Sequence, residues 1–147
     1  AEDVSFADLD LDALELGGNV TWIEPQDTMH VTSYVAYLAE SAWGDGRSQI
    51  GSVNGSNLTA EMELLSDQPL ENFTDVIVYT MSSLAEQTTP ASSTIIDRQS
   101  MASNATFVDE DLDPAELGGT IKWTSSGDAS LVTDYLLYLA FSSTGAG

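Results

Sequence analysis

The chain has no cysteine, one histidine, and three basic side chains (Arg47, Arg98 and Lys122) in 147 residues. Without cysteine there is no disulfide framework, no thiolate zinc site and no Cys nucleophile. Three cations against 24 acidic residues leave a formal charge of −21. Such a surface repels phosphate backbones and anionic lipid, so nucleic acid is excluded as a partner. No apolar run approaches the roughly 18 residues of a membrane-spanning helix, which argues against membrane insertion. The richest run, Leu136-Leu137-Tyr138-Leu139-Ala140-Phe141, is strand-sized. Ala1-Glu2-Asp3 has neither the basic nor the apolar region of a signal peptide, so a secreted chain would be a mature or excised piece.

What is present is an internal repeat. Residues 6–46 align without a gap on 107–147, at an offset of 107 − 6 = 101, with 20 identities in 41 positions. Phe6, Asp8, Asp10, Leu11 and Asp12 match Phe107, Asp109, Asp111, Leu112 and Asp113. Glu15-Leu16-Gly17-Gly18 matches Glu116-Leu117-Gly118-Gly119, and Trp22 matches Trp123. Val31-Thr32-x-Tyr34-x-x-Tyr37-Leu38-Ala39 matches Val132-Thr133-x-Tyr135-x-x-Tyr138-Leu139-Ala140. This predicts a complete unit over 1–101 and the first three strands of a second over 102–147. A unit near 100 residues closes its own core, unlike a solenoid repeat, so the pattern is that of beads in tandem. Three strands alone cannot readily bury Trp123, Tyr135 and Leu139. Either the natural chain continues or another chain supplies the missing strands by strand addition.

Short runs rich in Val, Ile, Thr and Tyr alternate with turn signals, and no helical period appears. Strands are expected from Val4 to Phe6, Val20 to Ile23 after a bend at Gly17-Gly18, and Val31 to Ala39. A turn at Trp43-Gly44-Asp45-Gly46 follows, then strands from Gln49 to Val53 and, past Asn54-Gly55, from Leu58 to Leu65. After a loop through Pro69 come Phe73 to Met81 and Ser93 to Ile96. Seven strands in an all-β chain are the signature of an immunoglobulin-like sandwich, with other all-β closures as alternatives.

Val20-Thr21-Trp22-Ile23-Glu24-Pro25 resembles the second strand of a fibronectin type III domain, whose core Trp is followed by Pro. Tyr34-x-Ala36-x-Leu38 resembles its third strand, and Leu70-x-x-x-Thr74-x-Val76-x-Val78 the approach to its sixth. The chain departs from that family at Val76, where a tyrosine usually stands. The wider layout resembles tandem repeats of large microbial or algal surface proteins. That resemblance implies presentation, adhesion or scaffolding, and no catalytic residues.

All five asparagines, Asn19, Asn54, Asn57, Asn72 and Asn104, begin an Asn-x-Ser/Thr triplet without Pro in the middle. Ser and Thr make up 32 of 147 residues, so five matches by chance have a likelihood on the order of one in two thousand. The set predicts covalent N-glycans, and with them an extracellular or cell-surface location. Val20 and Trp22 must share the core face, which turns Asn19 and Thr21 outward. Asn54 and Asn57 flank a hairpin tip, and Asn104 is placed in the linker between units.

Asp8, Asp10 and Asp12 recur as Asp109, Asp111 and Asp113, each set followed by Glu15 or Glu116. Several oxygen ligands are what Ca²⁺ requires, but the spacing departs from an EF-hand at Ala13 or Pro114 and at Asn19 or Thr120. On a straight strand, carboxylates two residues apart stand about 6.6–6.8 Å from each other, too far for one close cage. Bending at the nearby glycines would close the distance. The competing reading is a solvated acidic face that prevents edge pairing.

Tyr34-Val35-Ala36-Tyr37-Leu38-Ala39 and Val76-Ile77-Val78-Tyr79 are apolar on both faces, whereas a sandwich strand with one wet face alternates. With Tyr34, Ala36, Leu38, Val76 and Val78 in the core, Val35, Tyr37, Ile77 and Tyr79 form an outward stripe. It serves either self-association of identical units into a homo-oligomer or filament, or cover by the chain's own loops.

His30 becomes Leu131 in the second copy, and no nucleophile elbow, phosphate loop or histidine cluster accompanies it. The sequence therefore reads as a non-catalytic structural glycoprotein. The alternative is a surface adhesin or carbohydrate-binding module, with Ca²⁺ as an aid and Trp43 as a stacking platform.

Overall fold

The computed structural model describes residues 1–55 and 60–143. The chain divides into two compact units, Ala1–Met101 and Ala102–Gly147, and among the described residues its regular structure is β-strand apart from one short 3₁₀ turn.

In the first unit, β1 (Glu2–Asp8), β2 (Glu15–Ile23) and β5 (Glu61–Pro69) form an antiparallel sheet in the order β1-β2-β5. β3 (Ser33–Ala39), β4 (Ser48–Asn54), β6 (Asp75–Met81) and β7 (Ala91–Thr94) form a second, in the order β4-β3-β6-β7. The strand phase expected for β2 holds. Val20 and Trp22 are buried, and Asn19, Thr21 and Ile23 are exposed. From the first sheet Val4, Leu16, Val20, Trp22 and Leu64 meet Tyr34, Ala36, Leu38, Val76 and Val78 of the second in one core. Face-to-face burial of this kind makes the unit sandwich-like, each large apolar side chain contributing about 1.5–3 kcal/mol. The Trp22 and Tyr34 rings pack at 5.4 Å between centroids with an interplanar angle of 48°.

Several boundaries differ from the sequence reading, for local reasons. β2 starts at Glu15, not Val20, because Gly17-Gly18 is not a bend. A Cβ on Gly17 would stand 2.8 Å from Ser66 Cα, so glycine lets β2 press against β5 where their register shifts between Leu16 and Gly18. β3 begins at Ser33, after Val31 N–H has turned back to donate to Thr28 O at 3.0 Å. β5 runs on to Pro69, opposite Glu15, so the loop expected through Pro69 follows it instead. Leu58, expected to begin that strand, lies outside the described residues.

β8 (Ser100–Asp109), which lies in the second unit from Ala102 on, and β9 (Gly119–Gly127) form a two-stranded sheet, followed by a 3₁₀ turn at Ala129–Leu131. The third strand expected here is absent: residues 132–140 carry no strand. The matching segment of the first unit, β3, is paired on one side by β4 and on the other by β6. Residues 102–147 include a counterpart of neither, and an unpaired edge has no ladder to fix it.

Candidate functional site

The acidic segment between β1 and β2 is a turn built by its own carboxylates. Asp8, 1% exposed, accepts the Gly17 N–H at 3.0 Å and the Asp10 N–H at 3.2 Å on Oδ1, and the Arg98 N–H at 2.9 Å on Oδ2. Asp10 Oδ1 accepts the Asp12 N–H at 3.0 Å, and its Oδ2 accepts the Asp67 N–H at 2.8 Å. Leu14 adopts a left-handed φ of 68°, and its N–H donates to Asp97 Oδ2 at 3.1 Å.

The same turn recurs 101 residues later. Asp109 Oδ1 accepts the Asp111 and Gly118 N–H groups, each at 3.1 Å, Asp111 Oδ1 accepts that of Asp113 at 2.9 Å, and Ala115 has φ 68°. Each turn gathers three carboxylates, Asp10, Asp12 and Glu15 in one and Asp111, Asp113 and Glu116 in the other, with one oxygen from each within 4.8 Å of the others. Turning the chain thus removes the separation that a straight strand would impose. The membership differs from the expected Asp8, Asp10, Asp12 set and its Asp109, Asp111, Asp113 copy. Asp8 and Asp109 turn back to backbone N–H groups, and Glu15 and Glu116 take their places. A hard divalent cation is the species such oxygens can hold.

Crowding of like charge has a measurable consequence. The Glu15 carboxyl is held above its ordinary pKa, first by desolvation and then by Asp67, Asp12 and Asp10. A carboxylate whose folded pKa is raised destabilises the fold when ionised, and the penalty disappears as pH falls through the folded value to the unfolded one. Glu15→Gln is therefore expected to raise the melting temperature at about pH 7 and to leave it unchanged near about pH 3.5, where Glu15 is protonated in both states. Thermal melts of the two chains across that range check it.

The proposed outward stripe is not a free surface. Val35, Ile77 and Tyr79 are buried, and Tyr37 is partly so. The turn after β3 folds over Ile77 and Tyr79: the Tyr79 hydroxyl donates to Trp43 O at 3.3 Å. Gly44 lies so close that a Cβ there would stand 3.2 Å from Ile77 Cδ1. Arg47 places its guanidinium 4.6 Å from the ring centroids of both Tyr37 and Tyr79, which meet edge to face at 5.7 Å. Glu86 holds this lid, accepting from Arg47 at 2.7 Å and from the Tyr37 hydroxyl at 2.8 Å. Two cation–π contacts contribute about 0.5–1 kcal/mol each at such partly exposed sites. Self-association through Val35, Tyr37, Ile77 and Tyr79 is accordingly replaced by intramolecular cover. Sequence periodicity exposed the two-faced strands but not their lid, whose parts lie up to 49 residues apart.

Of the sequon asparagines, Asn19, Asn54 and Asn72 are exposed in the first unit and Asn104 in the second. Asn57 lies outside the described residues. Asn104 does not sit in a linker: it is within β8, with φ 52° and its Nδ2 donating to Thr124 Oγ1 at 3.1 Å. Its equivalent in β1, Asp3, has φ 46°, in the stretch where the β1–β2 register shifts between Glu2 and Ser5. His30 is exposed and lines an open groove of about 290 Å³ together with Asp27, Ser82 and Glu86. The Ser82 hydroxyl there donates to Ala85 O at 3.2 Å, closing a turn. Trp43 is 75% exposed.

Comparison of the chain with known protein families, curated proteins and solved structures finds no match.

Proposed function

We propose that this chain is a non-catalytic, extracellular structural glycoprotein: a fibronectin type III-like bead, repeated in tandem, that acts as a spacer or filament segment. The observation that carries the reading is the placement of every asparagine in a sequon, joined by the exposure of the four that the structure describes. N-glycans at Asn19, Asn54, Asn57, Asn72 and Asn104 would shield open strand edges and raise solubility. The seven-stranded immunoglobulin-type reading is supported by two sheets enclosing one core. The tandem reading is supported by two acidic turns with the same hydrogen bonds at an offset of 101 residues.

Assembly with other copies would proceed through linkage of beads, since the Tyr37–Tyr79 face is covered. A second reading, a surface adhesin or carbohydrate-binding module aided by Ca²⁺, is favoured by the exposed Trp43 ring. Both readings place the protein on the secretory route.

The test is intact-mass analysis of chain secreted by a glycosylating host, before and after N-glycosidase. Several glycans released from the named asparagines are expected, and an unmodified mass would overturn the proposal. A glycan array run with and without chelator separates the two readings, because a spacer binds nothing on it.

A further inference from the structure

The second unit carries half of a core with its surface open. Its residues at the core positions of the first unit are all apolar: Phe107, Leu117, Trp123, Tyr135, Leu137 and Leu139 stand where Phe6, Leu16, Trp22, Tyr34, Ala36 and Leu38 do. Leu16 and Leu38 are 0% and 2% exposed, whereas Leu117 and Leu139 are 62% and 83% exposed. The half-core is nonetheless arranged like its counterpart. Trp123 and Tyr135 pack at 5.4 Å and 53°, against 5.4 Å and 48° for Trp22 and Tyr34. A groove of about 400 Å³ opens beside them.

The first unit identifies what such a surface receives. There the same side chains are covered by Leu64 of β5 and by Val76 and Val78 of β6, with Ile50 and Val53 of β4 and Met62 of β5 packed against them. β3 gains its ladders from β4 and β6. We propose that the open apolar side of residues 102–143 is a docking surface for one kind of partner: a four-stranded segment with the pattern of β4 to β7, residues 48–94. It would pair along residues 132–140 and close over Trp123 and Tyr135. Strand addition supplies the hydrogen bonds, and alternate apolar side chains supply the register. The inference needs neither glycans nor any particular location.

Gly147 aligns with Gly46, so repeating residues 47–101 directly after Gly147 continues the register in the full chain. Leu137 stands where Ala36 does, and its extra volume can strain a core. The extended chain is therefore made both with Leu137 and with Leu137→Ala, in a host that adds no glycans. Amide hydrogen exchange of residues 135–140 is expected to slow about 100-fold or more in at least one of the two, with residues 1–101 unchanged. Adding Leu139→Asp should restore fast exchange. The proposal is overturned if residues 135–140 exchange in both extended chains as fast as in the original, or if Leu139→Asp leaves them protected.

Discussion

Replacing Asp8 with alanine is expected to cost the first unit about 3–5 kcal/mol. Three N–H groups, from Gly17, Asp10 and Arg98, lose their acceptor at once. In a site this enclosed, water cannot replace every one of those bonds, and each buried donor left unmade costs about 1–3 kcal/mol. Against a usual total of about 5–15 kcal/mol, that is enough to bring a small domain near its unfolding midpoint. Asp109→Ala is expected to cost less than about 1 kcal/mol, because Asp109 is exposed and the N–H groups of Asp111 and Gly118 that it accepts lie at the surface, where water can replace it. Urea unfolding followed by circular dichroism measures both. Equal losses at the two positions would show that the Asp8 network is not what holds the turn.

The second large effect separates the two tryptophans at matched positions. Trp22→Ala is expected to destabilise the first unit by about 3–5 kcal/mol, the range for truncating a large core aromatic. Trp22 is 4% exposed, packs at a tilt against Tyr34, and belongs to the cluster that joins both sheets. Trp123→Ala is expected to cost less than about 1 kcal/mol, since Leu137 and Tyr138, which line the groove beside it, are already in contact with solvent. Differential scanning calorimetry reads the contrast as a loss of the main transition in one variant and its retention in the other. A comparable fall in both melting temperatures would contradict the view that only the first unit holds a closed core.

Much of the first unit was legible because its signals are local. The alternation Val20-Thr21-Trp22-Ile23 fixes which face of β2 is buried, and the structure places Val20 and Trp22 inside and Asn19 outside. The acidic positions were legible as a group, and Glu15 and Glu116 were visible beside them. The distinction between Asp8 and Asp10 was not. Asp8 is taken up by the Gly17 N–H across the turn, as Asp109 is by that of Gly118, and Arg98 N–H, 90 residues away, adds a further bond on its Oδ2, contacts that exist only in the folded chain. The lid over Tyr37 and Tyr79 was hidden for the same reason, since Arg47 and Glu86 meet only once β3, β4 and β6 are assembled. The missing strand at residues 132–140 follows from pairing as well: Val132, Tyr135 and Leu139 repeat the pattern of β3, but pattern alone supplies no neighbour.

Sequence by itself determined the all-β character, the 101-residue period, the excess of negative charge and the five Asn-x-Ser/Thr triplets. These are properties of side-chain order that each stretch of chain carries wherever it lies. Tertiary structure decided which acidic residues bond the backbone and which face one another, whether a two-faced apolar strand is covered, and where a strand-like sequence becomes a strand. The physical reason is common to all three. Burial, ladder hydrogen bonds and charge repulsion are interactions between segments, and their sign and size exist only once folding has chosen the neighbours.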